Sequence, residues 1–391
     1  MVPVLPCGRP WARLTAGGGC PTIARTTALP AVRGDSPPTW QSMLRGAPCK
    51  FAAFPCSMPV QPPAASRLAN LDPYRSVDSP AARTVLEEHF DVGADLYKFW
   101  GSPSSVLRAL LLGWARSRHP AHLHYAWDLQ SAASLDAAIL ETTRQAVALL
   151  DLRGLDAPEL FEPGCGIGGG VTQVAAILPR ARVTGLSLVR RQLDIGRSRA
   201  GVEGVGERSA FCCGNYLHTP FVDAAFDGIF AIETLIYTPA SERAKLFQEM
   251  FRILKPGRTF ASLDGFRLRE ARNPDEQRVV QNVLDGWTMT LPPTPDEFRM
   301  HAQAAGFEVL RQEEATAHIS ASARRIAAIA TGVLLPLTCL ARVPLLGGLL
   351  APLGFASPRH AQRFVDACRS QVKVFDQGLG AYYIHVFRRP A

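Results

Sequence analysis

Several features are scarce or missing in this 391-residue chain, and each absence removes a class of answers. Charged residues make up only 19% of it, and there is no long Lys/Arg run, so nucleic-acid binding has little support. The nine cysteines form no CxxC pair, and no His/Cys set has zinc spacing. A disulfide framework and a bound metal are therefore not expected, and a reducing compartment is. No apolar core of secretory length follows the first basic residues. Val106–Trp114 is apolar but too short to cross a bilayer. Glycine (32) and proline (31) are plentiful but aperiodic, which excludes collagen, and 47% apolar residues exclude global disorder. No internal repeat is visible.

What is present is unevenly distributed. Of the net charge of +8, residues 1–60 supply +5, from six basic residues against Asp35. The same stretch holds ten prolines and six glycines and shows no helical or strand periodicity. Residues 1–80 read as a disordered or targeting segment. An Arg-rich, acid-poor leader fits an organellar transit peptide. A start upstream of a true one at Met58 fits equally well, so the expected location is cytoplasmic or organellar. Residues 81–150 read as a helical cap. Within it Ser134 caps a helix with Leu135, Ile139, Ala146, Leu149 and Leu150 on one face.

From Glu159 onward, strand and helix patterns alternate, the mark of a parallel α/β sheet. Strands are predicted at 159–163, 182–186, 210–213, 228–232, 259–263 and 307–311, with a closing strand at 382–387. Helices are predicted at 171–178, 190–199 and 241–254. Ser241 should cap the last, with Ala244, Phe247, Met250, Phe251 and Leu254 inward and Lys255-Pro256-Gly257 turning the chain after it. Thr294-Pro295-Asp296-Glu297 is a capping box that opens a further helix. The core is thus drawn at 151–315. Residues 316–391 form a hydrophobic C-terminal portion and the closing strand.

The sharpest motif is Glu162-Pro163-Gly164-Cys165-Gly166-Ile167-Gly168-Gly169, placed between a strand and a helix. Its glycines let the backbone approach a ligand closely. They also satisfy the dinucleotide pattern, but that reading wants an acid ~20 residues on. At that place the sequence is Thr184-Gly185-Leu186-Ser187. Glu162, ahead of the glycines, suits a cationic ligand better than a pyrophosphate, which favours S-adenosylmethionine over a nicotinamide.

The segments EPGCGIGGG (162–170), VTGLSLVRRQ (183–192), FCCGNYLHTPF (211–221), FDGIFAIETLIYTP (226–239), FRILKPGRTF (251–260), AQAAGFEVL (302–310) and AYYIHVFRRP (381–390) carry a resemblance. Over residues 85–390 the chain resembles class I methyltransferases, and within them the sterol 24-C-methyltransferase family. The resemblance implies a Rossmann-like seven-stranded methyltransferase core with a helical cap and a hydrophobic C-terminal lid. It also implies roles. Glu162, Gly164, Cys165, Gly166, Gly168 and Gly169 would wrap the methionine part of the cofactor. Ser187 stands where an acid or asparagine meets the ribose, with Gln192 assisting. Asn215 stands where an aspartate faces the adenine, followed by Tyr216. Ser187 and Asn215 both depart from the family's pattern. Ile232 and Glu233 would sit beside the sulfonium and the substrate.

His124, Tyr125 and Trp127 fall where the family has an aromatic substrate segment. They could stabilise a carbocation, each ring contributing ~0.5–2 kcal/mol, or simply belong to the core. Glu233 reads as a base or cation stabiliser, or as a carboxylate holding a loop. The apolar stretch 326–356 is broken by Pro336, Arg342, Pro344 and Pro352, so it makes a poor membrane span. It reads as a buried helix pair or as a lid over a lipid-sized pocket, in peripheral contact with a membrane. The family's C-terminal portion covers a hydrophobic substrate and favours the lid. The expected activity is methyl transfer from S-adenosylmethionine to a hydrophobic isoprenoid, a sterol side chain first. Another lipid, such as a tocopherol-like phenol or a terpenoid, is the alternative. A non-catalytic lipid-binding protein of the same fold also remains open.

Overall fold

The computed structural model describes residues 96–101, 103, 104, 106, 107, 110, 111 and 123–391. The readings made for residues 1–80, and most of those for 81–122, lie outside the described residues. Seven strands form one sheet: β1 (Glu159–Pro163), β2 (Arg182–Ser187), β3 (Ser209–Cys213), β4 (Phe226–Ile232), β5 (Leu254–Arg267), β6 (Glu308–Glu314) and β7 (Gly380–Arg388). Their order is β3-β2-β1-β4-β5-β7-β6. The first five run parallel, and β7 lies antiparallel between β5 and β6. Leu160, Phe161, Ile229 and Phe230, at the middle of the sheet, are wholly buried, as a sheet covered on both faces requires. The parallel run brings the carboxyl ends of β1, β2 and β4 to one edge, where such sheets open a crevice.

Helices cover both faces. They are α1 (Leu135–Ala148), α2 (Gly169–Ile177), α3 (Arg190–Val202), α4 (Arg243–Ile253), α5 (Pro274–Trp287), α6 (Pro295–Ala304), α7 (Thr316–Ile329), α8 (Leu335–Leu340), α9 (Pro344–Leu350) and α10 (Pro358–Asp376). A π-helical turn, Ala330–Leu334, joins α7 to α8. On one face of the sheet, Phe226, Phe247, Phe260, Phe298, Phe307 and Phe387 build an aromatic core. On the other, Val171, Val174, Val183, Leu193 and Tyr382 pack together. A third cluster, including Trp100, Trp287, Leu334, Phe355 and Phe364, lies under the C-terminal helices.

Local chemistry explains the helix starts. Ser134 accepts the Ala137 N–H at 3.1 Å. Thr294 and Glu297 form the reciprocal capping box ahead of α6. Three readings need correction around α4. Ser241 does not cap it: a 3-10 turn, Ala240–Glu242, precedes it, and the N-cap Glu242 makes no side-chain cap bond. Its buried face holds Leu246, Phe247, Met250 and Ile253, while Ala244 is exposed. Phe247, Met250 and Leu254 are wholly buried as expected and Phe251 is partly buried, so Ala244, in the first turn, is the one expected inward residue that faces solvent. Lys255-Pro256-Gly257 also lies inside β5, where the register shifts against β4, rather than before the strand. Helices α5 and α10 were not foreseen, although Asn273-Pro274 and Ser357-Pro358 carry the same cap-plus-proline signal as Thr294-Pro295.

Candidate functional site

β1 delivers Glu162 and the glycine loop to the crevice. The loop turns back at once: Cys165 N–H donates to Leu186 O (2.9 Å) and Gly168 N–H to Cys165 O (2.9 Å). Gly164 has φ +67°, and a Cβ there would lie 1.8 Å from Thr234 Oγ1. Gly164→Ala should therefore cost roughly 1–3 kcal/mol through the backbone alone, with the clash added. Urea denaturation measures this, and a variant as stable as the parent would refute the packing argument. Gly170 is tight for a second reason, since a Cβ there would meet Glu162 Oε1 at 2.3 Å. The Glu162 carboxyl is thus pressed against the first turn of α2. Val171 N–H donates to it, yet its Oε2 has no partner among the described residues. Burial pushes its pKa up to about 8.

Around this loop lies a small cavity of about 140 Å³. Glu162, Gly164, Cys165, Gly166, Gly169, Ser187, Gln192, Asn215, Tyr216 and Ile232 all line it, as does His124. Gly168 does not. It is a packing glycine, because a Cβ there would meet the Phe211 ring at 2.5 Å and Gly196 Cα at 2.9 Å. Ser187 Oγ donates to Gln192 Oε1 (3.0 Å) and accepts the Val189 N–H (3.1 Å), so the pair holds the end of β2 together. Asn215 Oδ1 accepts the Leu217 N–H at 2.9 Å. Tyr216 shares a 3.0 Å hydrogen bond with Thr238 Oγ1.

A second cavity of about 670 Å³ adjoins the first. Its walls include Trp100, Tyr125, Ile236, Trp287, Met289 and Phe375. Leu123, Glu233 and Tyr237 line both cavities. No residue of 326–356 lines the larger one. That stretch packs behind Trp100 and Trp287 through Leu334, Leu350 and Phe355, and α5 and α10 make the wall itself.

Glu233 sits at the junction, one residue past β4, with its backbone in the left-handed region (φ +50°). A non-glycine residue held there is strained, and such strain concentrates at functional positions. Glu233 Oε1 accepts both the Tyr125 N–H and the Tyr382 O–H at 3.0 Å. Burial raises its pKa to about 8 against those two hydrogen bonds. Behind it, Asp264 is fully buried. Its Oδ2 accepts the N–H groups of Thr234, Leu235 and Ile236 at 3.1, 3.0 and 3.3 Å. Asp264 therefore fixes the turn that carries Glu233, and burial lifts its own pKa to about 7.

The aromatic segment divides. Tyr125 faces the larger cavity, its hydroxyl donating to Gln371 Oε1 at 2.5 Å and its ring edge-on to Tyr382 at 6.0 Å. His124 is buried, bonds through Nδ1 to Tyr125 O (2.9 Å), and is lowered by burial to about 4, so at neutral pH it carries no charge. Trp127 lines neither cavity; its indole stacks on His318 at 4.4 Å. The chain has begun to turn there, with Trp127 N–H on Ala138 O, which carries the indole away from the cleft. Asp264, Gln371 and Tyr382 are site residues that the sequence reading passed over. Only Tyr382 carried a signal, from its place in the terminal segment 381–390.

Comparison with known proteins bears on this geometry. Residues 161–257 match the family model described as a methyltransferase domain. The chain is 29% identical over 202 residues to 24-methylenesterol C-methyltransferase 2 of Oryza sativa subsp. japonica, covering 51% of this chain and 53% of the relative. It thus spans about half the length of the curated relatives it matches. Among solved structures, cyclopropane synthase MmaA2 from Mycobacterium tuberculosis is similar with a TM-score of 0.64 at 14% identity, covering 79% of this chain and 99% of that one. Geranyl diphosphate C-methyltransferase from Streptomyces coelicolor, solved with Mg2+, geranyl diphosphate and S-adenosyl-L-homocysteine, gives 0.51 at 17% identity over 68% of this chain and 91% of that one. At these identities the structures establish a shared fold. The chain carries a class I methyltransferase domain, similar in sequence to that of sterol C-methyltransferases.

Proposed function

We propose that this chain, a class I methyltransferase by its domain and fold, binds S-adenosylmethionine in the smaller cavity and methylates a carbon of a hydrophobic isoprenoid held in the larger one. A sterol side chain is the substrate class the reading favours. The observation that carries it is Glu233, the one carboxylate among the described residues that lines both cavities. The lining of the small cavity suits the charge of the cofactor. Glu162 offers a cationic ligand a buried carboxylate oxygen with no partner among the described residues, and Gly164, Gly166 and Gly169 line the cavity without side chains. When bound, S-adenosylmethionine supplies an electrophilic methyl group on a sulfonium. Glu162, Asn215 and the Ser187–Gln192 pair would hold it.

The rest is done by this chain's residues. The aromatic and aliphatic residues of the larger cavity, Trp100, Ile236, Leu284, Trp287 and Phe375 among them, favour an apolar substrate, while Arg267, Arg269, Glu270 and Arg278 also line it; its volume is within the range of small-molecule sites, ~300–1,000 Å³. An alkene that gains a methyl group becomes cationic at the neighbouring carbon. Ionised Glu233 stabilises that charge and accepts the proton shed to restore a double bond. Tyr125 N–H and Tyr382 O–H keep its Oε1 in place. Holding the reacting carbon at a fixed position supplies much of the rate. The names of the rice relative and of the geranyl diphosphate enzyme support the choice of an isoprenoid carbon.

The test pairs saturated and unsaturated sterols with an isotopically labelled methyl donor and reads products by mass spectrometry. The unsaturated sterol should gain a carbon-bound methyl, while the saturated one binds unchanged because it has no π electrons to attack. Equal methylation of both, or a methyl found on oxygen, would reject carbon methylation and promote a lipid phenol as substrate.

A further inference from the structure

The stretch behind the cavity wall has an outer face that the reaction does not use. Of the exposed residues between 331 and 352, Arg342 alone is charged. Leu345 is 80% and Leu349 71% exposed, and Leu340, Val343 and Val333 are each more than 40% exposed. Soluble surfaces scatter such residues; here they are gathered on α8, α9 and the turns beside them. A basic margin adjoins them. Arg342 donates to Gln362 (3.1 Å), which places it beside Arg359 and Arg363 on the first turns of α10. Arg359 and Arg363 are exposed, and among the described residues neither these two nor Arg342 is in an ion pair. Residues 316–376 hold seven Lys/Arg against Asp366 and Asp376, so a net +5 lies on the segment that carries the apolar face. Asp366 contacts Gln362, and Asp376 is paired with Arg324.

We infer that α9 and its flanking turns are a docking surface for an anionic lipid bilayer, with Leu345 and Leu349 entering the interface and Arg342, Arg359 and Arg363 meeting the headgroups. Apolar side chains beside cations are how helices lie in the plane of a charged membrane surface. Thr316–Leu340 is long and apolar enough to span a bilayer by length and composition, but its other face is committed. Ile319, Ala323 and Ile326 are buried, and Arg325 donates to Trp100 O (2.8 Å) and Gly101 O (2.9 Å). The segment therefore lies on the membrane and does not cross it. Its inner side packs on the wall of the larger cavity, so docking would bring that cavity to the phase where an apolar substrate dissolves. The docking claim is independent of the methyl-transfer reading; only the substrate-delivery consequence rests on it.

The test is sedimentation of the full chain with vesicles of phosphatidylcholine alone and with phosphatidylglycerol added. The parent should bind the anionic vesicles, more weakly as salt rises. Leu345→Glu with Leu349→Glu should bind about tenfold more weakly or worse. Arg359→Glu with Arg363→Glu should lose the preference for anionic lipid. Circular dichroism and cofactor calorimetry should be unchanged in both variants, which separates a lost surface from a lost fold or a failed methyltransferase reading. No binding by the parent, or equal binding by the leucine variant, overturns the inference. So does sedimentation velocity showing a parent dimer that the leucine variant dissolves, for the face then belongs to a second copy.

Discussion

Glu233→Gln should lower turnover by about a hundred- to ten-thousandfold, the range for losing a positioned acid–base group, while cofactor affinity changes little. Glutamine keeps the size of the side chain and can still accept the Tyr125 N–H and the Tyr382 O–H. It can neither carry charge toward a developing cation nor take its proton. In the parent the pKa is pushed to about 8, chiefly by burial. The ratio kcat/KM, which reports the unliganded enzyme, should thus rise from about pH 7 to about pH 9 and then level off. In the glutamine variant that limb should vanish. Stability runs the other way. The folded-state value is raised from 4.5, so Glu233 favours the fold at low pH, and this contribution is lost as pH climbs through about 8. The variant should therefore lose less stability than the parent between pH 5 and 8. The measurements are kcat and KM against pH, with thermal unfolding alongside. Unchanged turnover, or a pH limb that survives the substitution, would remove Glu233 from the chemistry.

The reach of the sequence can be judged at particular residues. β1 and the glycine loop were legible because they are local: strand, tight turn and helix follow one another within twenty residues, and each step has its own residue signal. The capping box at Thr294 was legible for the same reason. Gly168 shows the limit of a motif, which marks a glycine without saying whether ligand or neighbour requires it. Here Phe211 and Gly196 do. Trp127 shows the limit of proximity, since it stands two residues from Tyr125 and a turn sends it elsewhere. Asp264 and Gln371 show the limit of local reading altogether. Asp264 acts through the turn at 234–236, about thirty residues away, and Gln371 meets Tyr125 across a separation of 246. Their role comes from the order of the sheet and from α10, which no short-range pattern encodes.

Glu162→Gln should weaken binding of S-adenosylmethionine roughly thirtyfold or more, as expected when one partner of a buried charge pair is removed, and should also flatten the pH dependence of binding. The argument starts from the unliganded site. With its pKa raised to about 8 by burial, the Glu162 carboxyl is protonated in about nine of ten molecules at pH 7. A cation seated against it favours the ionised form and returns the pKa toward the ordinary carboxylate range. Binding at pH 7 must then release close to one proton, and affinity should rise about tenfold per pH unit until it levels off near pH 8. Calorimetry at pH 7 in buffers of different ionisation enthalpy counts that proton directly; at pH 9 the count should fall to near zero. The glutamine variant keeps the Val171 contact and the space against Gly170, so its fold should persist, but it has no proton to release. NADH, whose pyrophosphate is anionic, should bind neither protein. A parent whose affinity does not change with pH, or a glutamine variant that still releases a proton, would show that Glu162 is not the group that meets the cofactor's positive charge.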